Sequence, residues 1–135
     1  MPPPTRLVAG FGCKRGCPEA LLAALLDRTL AEQGLERSQV LGIASLDRKA
    51  DEAGLVALAA SLNVPFQTFT AGQLAAWEPL LTHRSAVSFA HTGCHGVAES
   101  SALALSQALG TAEPRLMVGR QVLEGATLAL AVCSA

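Results

Sequence analysis

Leu7-Val8-Ala9-Gly10-Phe11-Gly12-Cys13-Lys14-Arg15-Gly16-Cys17, with Pro18 next in line, is the stretch from which the fold can be read. Leu7–Phe11 is a short apolar run ending beside glycine, which reads as a strand. Gly12–Cys17 is a polar turn rich in glycine. Pro18 stands where a helix tolerates proline, in its first turn. Leu21, Leu22, Leu25, Leu26 and Leu30 then recur at helical spacing, with Asp27, Arg28, Glu32 and Gln33 on the opposite face. Gly34 closes the helix as a left-handed cap. A strand, a glycine turn and a helix in direct succession form the opening unit of an α/β fold.

The same alternation continues outward. Val40–Ala44 reads as a second strand. Asp51 reads as the cap of a helix from Glu52 to about Leu62, which packs through Leu55, Leu58, Ala59 and Leu62 and stops at Asn63. Residues 65–69 form a third strand with Pro65 at its start, where proline does least harm. A short helix is expected around Gln73–Leu81. A polar segment over residues 82–95 holds all three histidines, and a helix over Val97–Leu109 is stopped by Gly110. Leu116–Val118 and Thr127–Val132 are the last strands, with a turn near Glu124-Gly125. The pattern predicts one three-layer α/β/α domain over residues 7–135, with a mostly parallel five-stranded sheet that is mixed if the last two strands pair as a hairpin. Residues 1–6, with three prolines, are expected to form a flexible tail.

Composition narrows the function. The 135 residues suit one domain. Ten basic and eleven acidic residues leave a net charge of −1, so no basic field exists to grip nucleic acid in bulk. Half of the residues are hydrophobic and the mean hydropathy is +0.37, enough to fill a core. Only 4% are aromatic and tyrosine is absent, which leaves few groups for base stacking. No run reaches the ~18 apolar residues that span a bilayer, so no membrane partner is expected. The start has no apolar signal-peptide core, which points to the cytoplasm and makes the four cysteines thiols.

Three segments carry possible chemistry. The first is Gly12, Cys13, Lys14, Arg15 and Gly16, where glycine amides, a helix N-terminus and two cations together suit an anion such as phosphate or carboxylate. Its G-x-G-x-x-x-G spacing is neither the dinucleotide fingerprint nor a P-loop, and a plain tight connection is the competing reading. The second is Lys49-Ala50-Asp51-Glu52, at the same edge of a parallel sheet, where ligands tend to lie. Lys49 could bind an anion and Asp51 position a polar group, although a capping role is the favoured reading of Asp51. The third runs from Ser85 to Glu99. Gly93 and Gly96 frame a further helix N-terminus there. Glu99, His91 and His95 are acid–base candidates, and Cys13 or Cys94 could pair with a histidine as a nucleophile. The spacing of His83, His91, Cys94 and His95 matches no established zinc pattern, so neither metal nor cofactor is expected.

Several of these motifs occur together in a known order. Gly10–Gly16, then Lys49-Ala50-Asp51-Glu52-Ala53-Gly54-Leu55, then Val97-Ala98-Glu99 before an alanine-rich helix, with Leu62–Phe66 and Gly125–Ala131, resemble the family formed by CobE and the C-terminal domain of CbiG. The resemblance covers nearly all of the chain after the proline tail. It implies a role in building the corrin ring of cobalamin, with a precorrin or corrinoid tetrapyrrole as ligand and other cobalamin-pathway enzymes as further partners. CbiG-type proteins open a lactone on a cobalt-precorrin-5 intermediate, which makes a lactone hydrolase the alternative expectation. A phosphate- or nucleotide-binding module is the third. The N-terminal region of the longer proteins is not expected in this chain, which also departs from the family pattern by placing Cys94-His95 before Gly96. The precorrin rim carries acetates and propionates, and Lys14, Arg15 and Lys49 suit such carboxylates.

Overall fold

The computed structural model describes residues 5–133. Met1–Pro4, most of the expected tail, lie outside the described residues. Arg6 already belongs to β1 (Arg6–Cys13). The remaining strands are β2 (Val40–Leu46), β3 (Phe66–Phe69), β4 (Leu116–Leu123) and β5 (Ala126–Cys133). They form one five-stranded sheet in the order β3-β2-β1-β5-β4. β1, β2 and β3 pair in parallel. β5 runs antiparallel to both β1 and β4, so β4 points the same way as the parallel set. The expected mixed sheet with a terminal hairpin is therefore present. Glu124 and Gly125 make its two-residue turn, with φ of 45° and 87°, the double positive φ that a tight hairpin turn needs.

Helices cover both faces. α1 (Glu19–Glu32) and α2 (Ala53–Leu62) lie on one side, where Leu22, Leu25, Leu26, Leu55 and Leu58 pack on Leu7, Phe11 and Leu128. α3 (Ala71–Ala75) and α5 (Val97–Ala108) lie on the other, against Val8, Ala129 and Ala131. The second face is made of small residues, and α5 sits very close to it. A Cβ on Gly10 would stand 2.0 Å from the Ala98 carbonyl and 2.6 Å from the Ala102 nitrogen. Every residue of α5 from Val97 to Ser106 is buried, as expected of a helix covered all round.

Three local expectations need correction. Glu52, not Asp51, is the cap residue of α2, and neither supplies a side-chain cap bond; Asp51 points outward to Arg15. The helix expected over Gln73–Leu81 breaks into α3 and a 3₁₀ turn at Glu78–Leu80, because Pro79 cannot continue an α-helix. The histidine segment contains α4 (Ala86–Thr92), which has no buried residue and so no apolar stripe to betray it. Among the described residues no helix is long and apolar enough to cross a membrane.

Candidate functional site

β1 and β2 end side by side, and a cavity of about 350 Å³ opens beyond them. Its floor is Gly12 and Cys13 from β1 with Ser45 and Leu46 from β2. One wall is the first turn of α5, a second is α4, and the third is the β4–β5 hairpin. Connections after β1 and β2 run over the α1–α2 face, whereas α5 leads to β4 across the other. The cavity thus lies where the chain divides to either side of β1, the usual position of a ligand crevice in an open α/β sheet.

Most of the residues singled out in the sequence meet here. Gly12, Cys13, Lys14, Lys49, Ser85, His91, His95 and Glu99 all line the cavity. Arg15, Gly16 and Asp51 do not; they line a neighbouring groove. Gly93 lines neither. It ends α4 in a left-handed conformation, with φ of 78°, rather than framing the start of α5.

The first glycine turn is already occupied. The Glu52 carboxylate, 3% exposed, reaches across and accepts the amides of Gly16 at 2.5 Å and Cys17 at 3.2 Å. The protein's own side chain therefore sits where the sequence suggested a bound anion. Arg15 stands beside it, 3.7 Å from Asp51 and 3.9 Å from Glu52. This filling removes the main support for a phosphate-binding module.

The cationic side chains of the cavity are, by contrast, unpaired. Among the described residues Lys14, Lys49 and Arg120 form no ion pair. The stem of Lys14 lies along the hairpin turn, where a Cβ on Gly125 would come within 3.2 Å of it. The walls between the cations are largely apolar, from Leu46, Val87, Val97 and Ala98. Arg120 was not foreseen, since nothing in Gly119-Arg120-Gln121 marks it from sequence.

The acid–base candidates differ in their settings. Glu99 is 1% exposed. Its carboxylate accepts the amides of Thr82 at 2.9 Å, His83 at 3.1 Å and Arg120 at 2.9 Å, along with the Thr82 hydroxyl. Burial alone would raise its pKa, but these bonds outweigh burial and hold it below the ordinary carboxylate value. Glu99 is thus a fixed carboxylate rather than a proton donor. His95 is held through Nδ1 by the Glu78 carboxylate, 3.2 Å from each oxygen, and stacks on Phe89. The side chain of His91 has no such partner. Ser85 caps α4, its hydroxyl accepting the Ser88 amide.

All four cysteines are free thiols. Burial, opposed in part by Lys49, pushes Cys13 up to about 11. Burial and the Glu78 charge raise Cys94 as well. Both stay protonated near neutral pH, which disfavours the cysteine nucleophile. Among the described residues no three histidine, cysteine or acidic side chains gather as a metal site would need.

Comparison with known proteins gives this geometry a context. The family described as Cobalamin synthesis G C-terminus matches residues 7–131. Protein CobE of a Sinorhizobium species is 36% identical over 126 residues, covering 93% of this chain and 79% of that protein. The crystal structure of CobE, a protein from the cobalamin (vitamin B12) biosynthetic pathway, superposes with a TM-score of 0.91 at 41% identity, over 99% of this chain and 94% of that one. The cobalt-precorrin-5A hydrolase of Salmonella typhimurium is 47% identical over 75 residues, but these cover 56% of this chain and only 21% of the hydrolase.

Proposed function

The chain belongs to the family of CobE and the CbiG C-terminus, proteins of cobalamin biosynthesis, and from that premise we propose that it binds a corrinoid or precorrin intermediate through the carboxylates of the ring's rim. One observation carries the reading: the cavity beyond β1 and β2 presents lysines that have no anionic partner among the described residues, set between apolar walls. Unpaired cations at a semi-enclosed site favour an anionic ligand, and bonds to a carboxylate are the stronger, charge-assisted kind. The volume of about 350 Å³ falls in the range of small-molecule sites. It is too small for a whole tetrapyrrole, so rim side chains enter while the ring lies across the mouth. Val87, 69% exposed on α4, offers an apolar surface there. The setting is the cytoplasm, and the role is to hold an unstable intermediate and pass it to other pathway enzymes.

A second reading, hydrolysis of a ring lactone, rests on His95. Its Nδ1 is bound to Glu78, an arrangement that fixes the tautomer of an imidazole and leaves Nε2 for proton transfer. Titration with late precorrins, followed by visible spectra over time, separates the two. A saturable shift with unchanged extracted pigment is the outcome expected of binding. A new pigment beyond protein stoichiometry would establish catalysis, and no response would overturn both.

A further inference from the structure

Glu99 and Arg120 belong to one device. In the β4–β5 ladder Val118 pairs with Leu130 and Gln121 with Leu128. Gly119 and Arg120 therefore stand opposite Ala129 alone, two residues against one. Such a bulge bends the strand and re-aims a side chain. It also frees backbone groups from the ladder, and the Arg120 amide finds its partner in Glu99 at 2.9 Å. The fit is close: a Cβ on Gly119 would lie 2.7 Å from the Thr82 hydroxyl and 3.1 Å from the Glu99 carboxylate. Glu99 reaches the bulge from α5, and Thr82 and His83 hold its remaining lone pairs.

The bulge places Arg120 in the lining of the cavity. Its Nε is buried yet bonds to nothing, the one buried side-chain nitrogen or oxygen among the described residues in that state. A buried, charged donor without a partner is costly and calls for an explanation. Glu99 binds the Arg120 amide rather than the guanidinium, so the fork of donors remains free. A guanidinium fork matches a carboxylate in a two-bond geometry that no lysine can copy.

Resting on the binding reading above, we infer that Arg120 is the anchor for one rim carboxylate of the ligand, and that Glu99 is a positioning residue that fixes the bulge and so aims Arg120. Lys14 and Lys49 attract the rim as point charges, and Arg120 sets which carboxylate enters and at what angle.

The test uses the full chain with two probes: dicyanocobyrinic acid, whose rim carboxylates are free, and its fully methyl-esterified form. The unsubstituted protein is expected to bind the acid and not the ester. Arg120→Ala should weaken binding of the acid roughly 10- to 100-fold, and Arg120→Lys should recover only part of the loss. Glu99→Gln should weaken it as well, and the double variant should bind no worse than Arg120→Ala, because the two act through one contact. If Glu99→Gln fails to fold, Gly119→Ala disturbs the same bulge and takes its place. An unchanged affinity in Arg120→Ala would overturn the anchor while leaving the binding reading intact. Losses that multiply in the double variant would overturn the positioning role. No binding of the acid by the unsubstituted protein would overturn the binding reading, and this inference with it.

Discussion

Two adjacent cations, Lys14 and Arg15, end up in different environments. Lys14 lines the cavity without an ionic partner, whereas Arg15 faces Asp51 and Glu52 in the next groove. Charge reversal should therefore separate them. Lys14→Glu is expected to weaken binding of a carboxylated corrinoid at least about tenfold, and Arg15→Glu to leave it nearly unchanged, as read by fluorescence or absorbance titration. Equal losses would mean that the two grooves act as one site. From sequence the two residues were indistinguishable, because the branching of their environments depends on Glu52, which lies 36 residues further along than Gly16. Glu99 adds a pH signature. Its carboxyl is held below the ordinary value, so its stabilisation is present above the normal carboxylate range and is lost as pH falls through the lowered pKa. Urea midpoints measured from pH 7 downward should show Glu99→Gln well below the unsubstituted protein at neutrality, with the gap closing in acid. A gap independent of pH would show that the loss is one of packing alone.

At the scale of elements, the contact of α5 with β1 is the most exacting. It depends on Gly10, since the two nearest atoms a Cβ would meet, the Ala98 carbonyl oxygen and the Ala102 nitrogen, belong to the helix backbone and cannot step aside. Gly10→Ala is expected to cost about 3 kcal/mol or more in chemical denaturation. A loss under about 1 kcal/mol would mean that α5 can ride outward on the sheet. The elements themselves were largely legible. β1, α1, β2, β3, α5 and the hairpin all stand near where apolar runs, helical spacing and glycine stops put them. Two kinds of feature were not. α4 is seven residues long with no buried face, so periodicity had nothing to register. The bulge in β4 arises from a mismatch of pairing with β5, and a single strand's sequence does not contain its partner's register. Arg120 was missed for that reason, whereas Lys14 came from the glycine turn after β1 and Lys49 from the connection that follows β2.

Across the whole molecule, stability is expected to be graded from the centre outward. β1 and β5 occupy the middle of the sheet with their apolar residues buried, while α4 buries none of its own. Hydrogen exchange should accordingly be slowest in Leu7–Phe11 and Leu128–Ala131 and fastest over Ala86–Thr92. Protection of α4 equal to that of β1 would contradict this order, and protection that appears only with a corrinoid bound would place the ligand against it.

The carboxylate of Glu52 has one more consequence. The Cys17 amide donates to Lys14 O as well as to Glu52, and the Glu52 amide donates to Lys49 O. A short chain of bonds therefore runs from the backbone of one cavity lysine to that of the other. The clasp makes the two loops a single mount, and the interval between the backbone segments that carry the two lysines is set before any ligand arrives. Such a mount works as a gauge. It favours molecules whose acidic arms are spaced to match, and it spares the complex the entropy of ordering two separate loops.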